Sequence, residues 1–200
     1  MINILNEIWY KFVIFITRWL FLLLGGRIFG THHIPRTGGA IIASNHQSYL
    51  DPVFLSGGLQ RPLHFLARQE LFEANRFFGG LIRSLKAVPL ERRRFNSEGI
   101  RKTIAYLGGG ELFLVFPEGT RTRNGQIQPF KPGIITMALK AGVPIIPTRI
   151  IGTYEVWPRT SILPKRWHPI KIIYGKPIAI NPNLSAQEIC RELYDNISQL

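Results

Sequence analysis

The apolar pattern changes period at Gly25-Gly26. Before that point, residues 8–24 read IWYKFVIFITRWLFLLL, an apolar run broken by Lys11, Thr17 and Arg18. As a helix the run is about 25 Å long, short of a bilayer core of about 30 Å. At 100° per residue, Glu7, Lys11 and Arg18 fall within about 40° of one another. Asn3, Asn6 and Thr17 extend that polar side, and Tyr10, Ile14 and Phe21 interrupt it. Trp9, Phe12, Phe15, Ile16, Trp19, Leu20 and Leu23 cover the rest. The pattern predicts an amphipathic helix lying in a membrane interface rather than a span, because two basic residues in mid-helix are costly against lipid. A single span and a helix docked on the protein's own core are the competing readings. No small-residue cleavage site follows, which argues against a signal peptide.

After the glycines, short apolar runs alternate with helical periodicity. Strands are predicted at Arg27–His33, Ala40–Ser44, Leu63–Ala67, Ala87–Leu90, Glu111–Phe116, Val143–Ile151 and Ile170–Tyr174. Helices are predicted at Pro52–Leu59, Leu71–Leu85, Asn96–Leu107, Pro132–Ala141 and Ala186–Gln199. Strands separated by helices imply an α/β fold, with a mainly parallel central sheet flanked by helices. The chain divides into residues 1–26, an N-terminal membrane-anchoring helix, and residues 27–200, the α/β domain.

Composition narrows the class. Apolar residues make up 46% and charged residues 18% of the 200, which excludes a disordered chain. One cysteine, Cys190, excludes an internal disulfide and reads as buried packing in the last helix. The net charge is +13, and Arg outnumbers Lys 17 to 8. The planar guanidinium suits phosphate oxygens, so the partner is expected to be an anion: a nucleic acid, an anionic membrane or a phosphorylated small molecule. Nucleic acid fits worst. There is no recognition module, and the aromatics cluster in the N-terminal run, not between arginines.

Two segments carry the chemistry. Ser44-Asn45-His46-Gln47-Ser48-Tyr49-Leu50-Asp51-Pro52 follows a predicted strand directly, where α/β sheets place their sites. Asp51-Pro52 reads as a helix start with Asp51 as N-cap. On a regular helix His46 and Asp51 would point about 140° apart, so they meet only across a turn. A carboxylate on the imidazole Nδ1–H would fix the tautomer and leave Nε2 as a base. The competing reading makes Asp51 a simple cap and His46 a turn residue. Phe116-Pro117-Glu118-Gly119-Thr120-Arg121 follows a second strand. There Gly119 lets the backbone approach an anion, Arg121 offers a bidentate contact, and Glu118 either orients an arginine or holds the loop. A polar turn with an internal ion pair is the alternative.

In this order and spacing the two segments resemble the glycerolipid acyltransferase family, its PlsC-type 1-acylglycerol-3-phosphate acyltransferases in particular. His46 and Asp51 match that family's catalytic motif, and Glu118, Gly119, Thr120 and Arg121 its phosphate-binding motif. Val88-Pro89-Leu90-Glu91-Arg92 resembles the intervening motif, with Glu91 where Asp is common. Val143-Pro144-Ile145-Ile146-Pro147 resembles the fourth. The likeness spans about residues 30 to 150. It implies His46 as general base, Asp51 as its orienter, and Arg92 with Arg121 on the acceptor phosphate. It implies no cofactor and no metal, with acyl-CoA or acyl carrier protein as co-substrate. The implied acceptor is lysophosphatidic acid; another lysophospholipid or an amino-acid lipid is the alternative. It also implies a membrane-associated enzyme. Basic residues after the apolar run favour the cytoplasmic face of an anionic membrane.

Other candidates fall away. Ser44 and Ser48 lack a Gly-x-Ser-x-Gly elbow. Gly108-Gly109-Gly110 follows a helix and so reads as a helix stop. Backbone N–H groups near the site, with Gly119 one candidate among them, are the expected oxyanion donors, and the sequence does not single one out. His32-His33 is expected on a strand, where the two rings cannot face one metal. The cluster Arg92-Arg93-Arg94 with Arg101 and Lys102 is a solvated face, an acidic-lipid contact or a dock for acyl carrier protein.

Overall fold

The computed structural model describes residues 4–73, 75–90, 98–181 and 183–200. Its strands are β1 (Arg27–Phe29), β2 (Ala40–Ser44), β3 (Leu63–Arg68), β4 (Ala87–Leu90), β5 (Leu112–Val115), β6 (Ile145–Ile151) and β7 (Lys171–Tyr174). They pair in the order β1-β7-β6-β2-β5-β3-β4. Strands β2 to β6 run parallel, β7 is antiparallel to β6, and β1 pairs parallel with β7. The fold is thus the α/β arrangement with a mainly parallel sheet that the sequence pattern implies.

The helices are α1 (Ile4–Leu23), α2 (Asp51–Gly57), α3 (Gln69–Glu73), α4 (Arg76–Ser84), α5 (Glu98–Gly108), α6 (Gly133–Ala141), α7 (Thr153–Val156) and α8 (Ala186–Gln199). They cover both faces of the sheet. Successive residues of β2 point opposite ways, so Ala40 and Ile42 join Phe21, Phe54 and Ile82 on one side. Ile41 and Ala43 join Leu107, Ile135 and Leu193 on the other, together with Cys190. A strand covered on both faces has no solvent side to mark with polar residues, which is why AIIAS is wholly buried.

Helix α1 is turned around relative to a simple amphipathic helix on a soluble domain. Tyr10, Phe21 and Leu24 are buried in the core, with Val13 and Ile14 packed against it. These include the residues that interrupt the polar side. Glu7 on that side pairs with Lys86, and Tyr10 Oη accepts a hydrogen bond from Leu63 N–H at 3.2 Å. The broad apolar side faces away from the protein: Ile8, Phe12, Phe15, Ile16, Trp19 and Leu23 are all exposed. Among the described residues no helix is long and apolar enough to cross a membrane.

Three local expectations are corrected. The first strand ends at Phe29, and Thr31–His33 form a single 3-10 turn. Gly30 has φ +74°, and a side chain there would run into the Tyr174 carbonyl, so the chain must turn. His32 and His33 therefore lie on a turn, not a strand, with ring centroids 4.1 Å apart. The helix expected over residues 71–85 is two helices, because Asn75 is extended and its side chain caps α4 by accepting from Phe77 and Phe78 N–H. The short helix α7 has no periodicity to announce it.

Candidate active site

Strands β6, β2 and β5 are parallel neighbours at the centre of the sheet, so their carboxyl ends lie together. Each delivers one part of the site, as expected for an open α/β sheet. At the end of β2 the chain leaves the ladder, and the Asn45 side chain takes over the pairing. Its amide donates to Ile150 O at 2.9 Å and accepts from Ile150 N–H at 2.8 Å. Residues 46–50 then fold back as a turn ahead of α2.

The turn brings His46 and Asp51 together. Nδ1 of His46 donates to Asp51 Oδ2 at 2.8 Å. The same oxygen accepts from the backbone N–H groups of Gln47 at 2.6 Å and Ser48 at 2.7 Å. The other oxygen, Oδ1, accepts from the Thr153 hydroxyl on α7 at 2.6 Å. Asp51 has no solvent exposure. Its carboxylate thus reaches back to the turn instead of capping α2, which corrects the N-cap expectation. Four donors surround a buried anion, which is the arrangement that keeps such a charge tolerable. With Nδ1–H committed to the carboxylate, a neutral His46 carries its lone pair on Nε2. Among the described residues Nε2 has no hydrogen-bond partner, and the side chain keeps 17% exposure. The ring lies flat against Phe116, centroids 3.8 Å apart and planes 10° apart, which fixes its orientation.

The loop after β5 holds the backbone of the same histidine. Glu118 Oε1 accepts from His46 N–H at 2.8 Å, and Oε2 accepts from Gln128 N–H at 3.1 Å. The His46 carbonyl accepts from Thr122 N–H at 2.8 Å. Glu118 is therefore a buried brace between loops rather than a partner for an arginine. Burial pushes its carboxyl up to about 7, against the two backbone N–H bonds that favour ionisation; the nearby Asp51 charge adds to the rise. Gly119 has φ +68°, and a Cβ there would come within 3.3 Å of Lys131 Nζ. Its N–H donates to Phe116 O at 2.9 Å, so this group closes the turn and is not held ready for an oxyanion.

Cations gather beside the histidine loop. The Arg121 guanidinium lies 3.4 Å above the Tyr49 ring. Burial lowers its pKa below the ordinary arginine value, and the charges of Arg159 and Arg68 act in the same direction. Arg159 donates to Thr120 Oγ1 at 2.8 Å and to Arg121 O at 3.4 Å. Three guanidiniums thus share a small region, and no carboxylate is ion-paired with any of them among the described residues. Guanidiniums grouped in this way can take an anion. Arg68 ends β3, a position of the same kind as those of the two motifs. Arg159 and Thr153 follow β6, outside any stretch the sequence motifs mark. Arg92 and the cluster Arg92-Arg93-Arg94 lie outside the described residues. Among the described residues no cluster of three His, Cys, Asp or Glu side chains has metal-binding geometry.

Residues 27–151 match the model of the family described as Acyltransferase. A 1-acyl-sn-glycerol-3-phosphate acyltransferase of Bacillus subtilis is 29% identical over 171 residues, covering 84% of this chain and 82% of that protein. A protein of the same name from Pseudomonas aeruginosa is 33% identical over 161 residues, 76% of this chain and 59% of its own length. The crystal structure of the 1-acyl-sn-glycerophosphate (LPA) acyltransferase PlsC from Thermotoga maritima superposes with a TM-score of 0.77 at 28% identity, covering 97% of this chain and 78% of that one.

Proposed function

Since the chain belongs to the acyltransferase family, we propose that it transfers an acyl group from a thioester to the sn-2 hydroxyl of lysophosphatidic acid, giving phosphatidic acid. The relatives that carry this name support the substrate class. The donor is acyl-CoA or acyl-loaded acyl carrier protein, acting as co-substrate with no resident cofactor.

The observation that carries the reading is the His46–Asp51 contact of 2.8 Å, which commits Nδ1 and leaves Nε2 as the base, on the same loop whose Tyr49 carries the Arg121 guanidinium. Nε2 takes the hydroxyl proton as the oxygen attacks the thioester carbonyl. Asp51 stabilises the imidazolium that forms. The tetrahedral intermediate collapses, the carbon–sulfur bond breaks, and the departing thiolate takes the proton back from Nε2. Arg121 and Arg159 hold the phosphate of the acceptor, which places the hydroxyl and lowers the entropic cost of a two-substrate encounter. The reaction runs at a membrane surface. There the outward side of α1 is buried at headgroup depth and the basic domain is drawn to anionic lipid. The excess of basic residues after α1 favours the cytoplasmic face.

The test is a panel of lyso-lipid acceptors, including an amino-acid lipid, assayed with acyl-CoA and with acyl carrier protein donors. Lysophosphatidic acid is expected to give the highest kcat/KM, and His46→Ala to slow transfer by about 10²–10⁴. Preference for an acceptor without a phosphomonoester would refute the substrate assignment.

A further inference from the structure

Residues 157–169, WPRTSILPKRWHP, link α7 to β7 without a regular element. Within this loop Ile162 is 92% exposed, Leu163 71% and Trp167 62%. The loop's own hydrogen bonds hold them outward. Ser161 N–H donates to Pro158 O at 3.1 Å, and Lys165 N–H to Val156 O at 2.8 Å. Trp157 Nε1 donates to Ser161 O at 3.1 Å, and the same ring packs against the core. These bonds anchor the loop at Ser161 and Lys165, and residues 162–167 are all exposed. Lys165 and Arg166 stand exposed between the apolar side chains, and residues 157–169 contain no acidic residue.

The loop connects the active site to α1. Trp157 meets Tyr49 edge-on at 6.2 Å, and Tyr49 carries the Arg121 guanidinium. At the other end Pro169 lies beside Gly25, just beyond α1, and Ile170 O accepts from Arg27 N–H at 2.9 Å. The exposed Leu22 and Leu23 at the end of α1 continue the apolar surface toward this junction.

We infer that residues 162–167 are a second membrane contact, seated at the headgroup level of an anionic leaflet. The inference rests on the reading of α1 as an interfacial helix. Ile162, Leu163 and Trp167 bury apolar surface, while Lys165 and Arg166 meet lipid phosphates. One interfacial helix alone leaves the domain free to roll about the helix axis. A second contact beside Tyr49 and Arg159 removes that freedom and presents the site to an acceptor that keeps its chain in the membrane. An acidic acyl carrier protein would also satisfy Lys165 and Arg166. It gives no reason for three large apolar side chains to face outward together.

The test places an environment-sensitive fluorophore on the full chain at one of three exposed positions: Ile162→Cys, Phe15→Cys on α1, or Lys140→Cys on α6. The unsubstituted chain controls for labelling of the buried Cys190. With vesicles of phosphatidylglycerol and phosphatidylcholine, a blue shift is expected at 162 and 15 and none at 140. A shift at 15 alone would overturn this inference and leave the α1 reading intact. No shift at either would overturn both. A shift at 162 with purified acyl carrier protein but not with vesicles would overturn it in favour of that partner. Independently, the double variant Ile162→Ser, Trp167→Ser should bind these vesicles about tenfold more weakly, since each lost apolar anchor weakens partitioning. Its turnover of a dispersed short-chain acceptor should not change. Unaltered vesicle affinity in this variant would overturn the inference as well.

Discussion

Glu118→Gln separates the brace behind His46 from the chemistry in front of it. The carboxylate accepts two backbone N–H bonds, one on each oxygen, from His46 and Gln128. An amide has one carbonyl, so whichever way Gln is turned, one buried N–H faces an NH2 group. Against the ionised carboxylate, an orphaned buried donor costs about 1–3 kcal/mol; the protonated carboxyl, with one carbonyl and one OH, resembles the amide. The wild-type carboxyl also carries a proton-linked term. Its pKa in the folded chain is pushed up to about 7 by burial, while the unfolded chain keeps the ordinary glutamate value. The folded state therefore holds a proton that the unfolded state has already released between those values. Stability from this group is present below the unfolded value and is lost as pH rises toward about 7. The loss is at most about 3 kcal/mol in total, with a slope near 1.4 kcal/mol per pH unit inside the window. Gln does not titrate. Urea unfolding of both proteins from pH 5 to 8 should show wild-type stability falling relative to the variant as pH rises, then levelling above about 7. The variant should also lose kcat, on the order of 10- to 100-fold, because a small displacement of a positioned base is costly. A stability difference independent of pH would refute the shifted carboxyl, and an unchanged kcat would refute the brace.

His46→Ala should lower kcat by about 10²–10⁴. Its melting curve should stay close to wild type, because the backbone bonds to Glu118 and Thr122 survive and Asp51 Oδ2 keeps the Gln47 and Ser48 N–H groups, whereas Oδ1 has only one donor among the described residues. Thr153→Val preserves shape but strips Asp51 Oδ1 of its hydroxyl donor, which should cost about 1–3 kcal/mol in urea unfolding together with part of the activity. Wild-type stability in that variant would mean that the oxygen finds another donor. Arg121→Lys loses both the fork and the stacking on Tyr49. Steady-state assays should show KM for the phosphorylated acceptor rising about tenfold, with KM for the thioester unchanged. Equal increases for both substrates would contradict a phosphate role.

Much of this architecture is written in local patterns. All seven strands and α8 follow from apolar runs, turn residues and a capping box at Ser185, because short-range periodicity and caps are properties of the chain itself. The spacing of His46 and Asp51 required a turn, and a strand ending at Ser44 located it. Asp51 shows where local reading stops. Asp before Pro has the form of a cap, yet its carboxylate turns back to Gln47 and Ser48 because Thr153, some hundred residues on, supplies the opposing donor. Arg159 and Thr153 carry no motif, and only the crossing that places β6 beside β2 brings Thr153 to Asp51 and Arg159 to the Thr120-Arg121 loop. Helix α1 makes the same distinction. Its wheel fixes which residues share a side, a matter of 100° per residue. Which side faces the protein was decided by complementarity with the sheet domain. Tyr10 and Phe21 are seated in its core and Glu7 pairs with Lys86, so the larger apolar side is left pointing outward. Periodicity is set by neighbours in the chain, whereas the partner of a buried carboxylate or of a helix face is set by strand order, which no local pattern encodes.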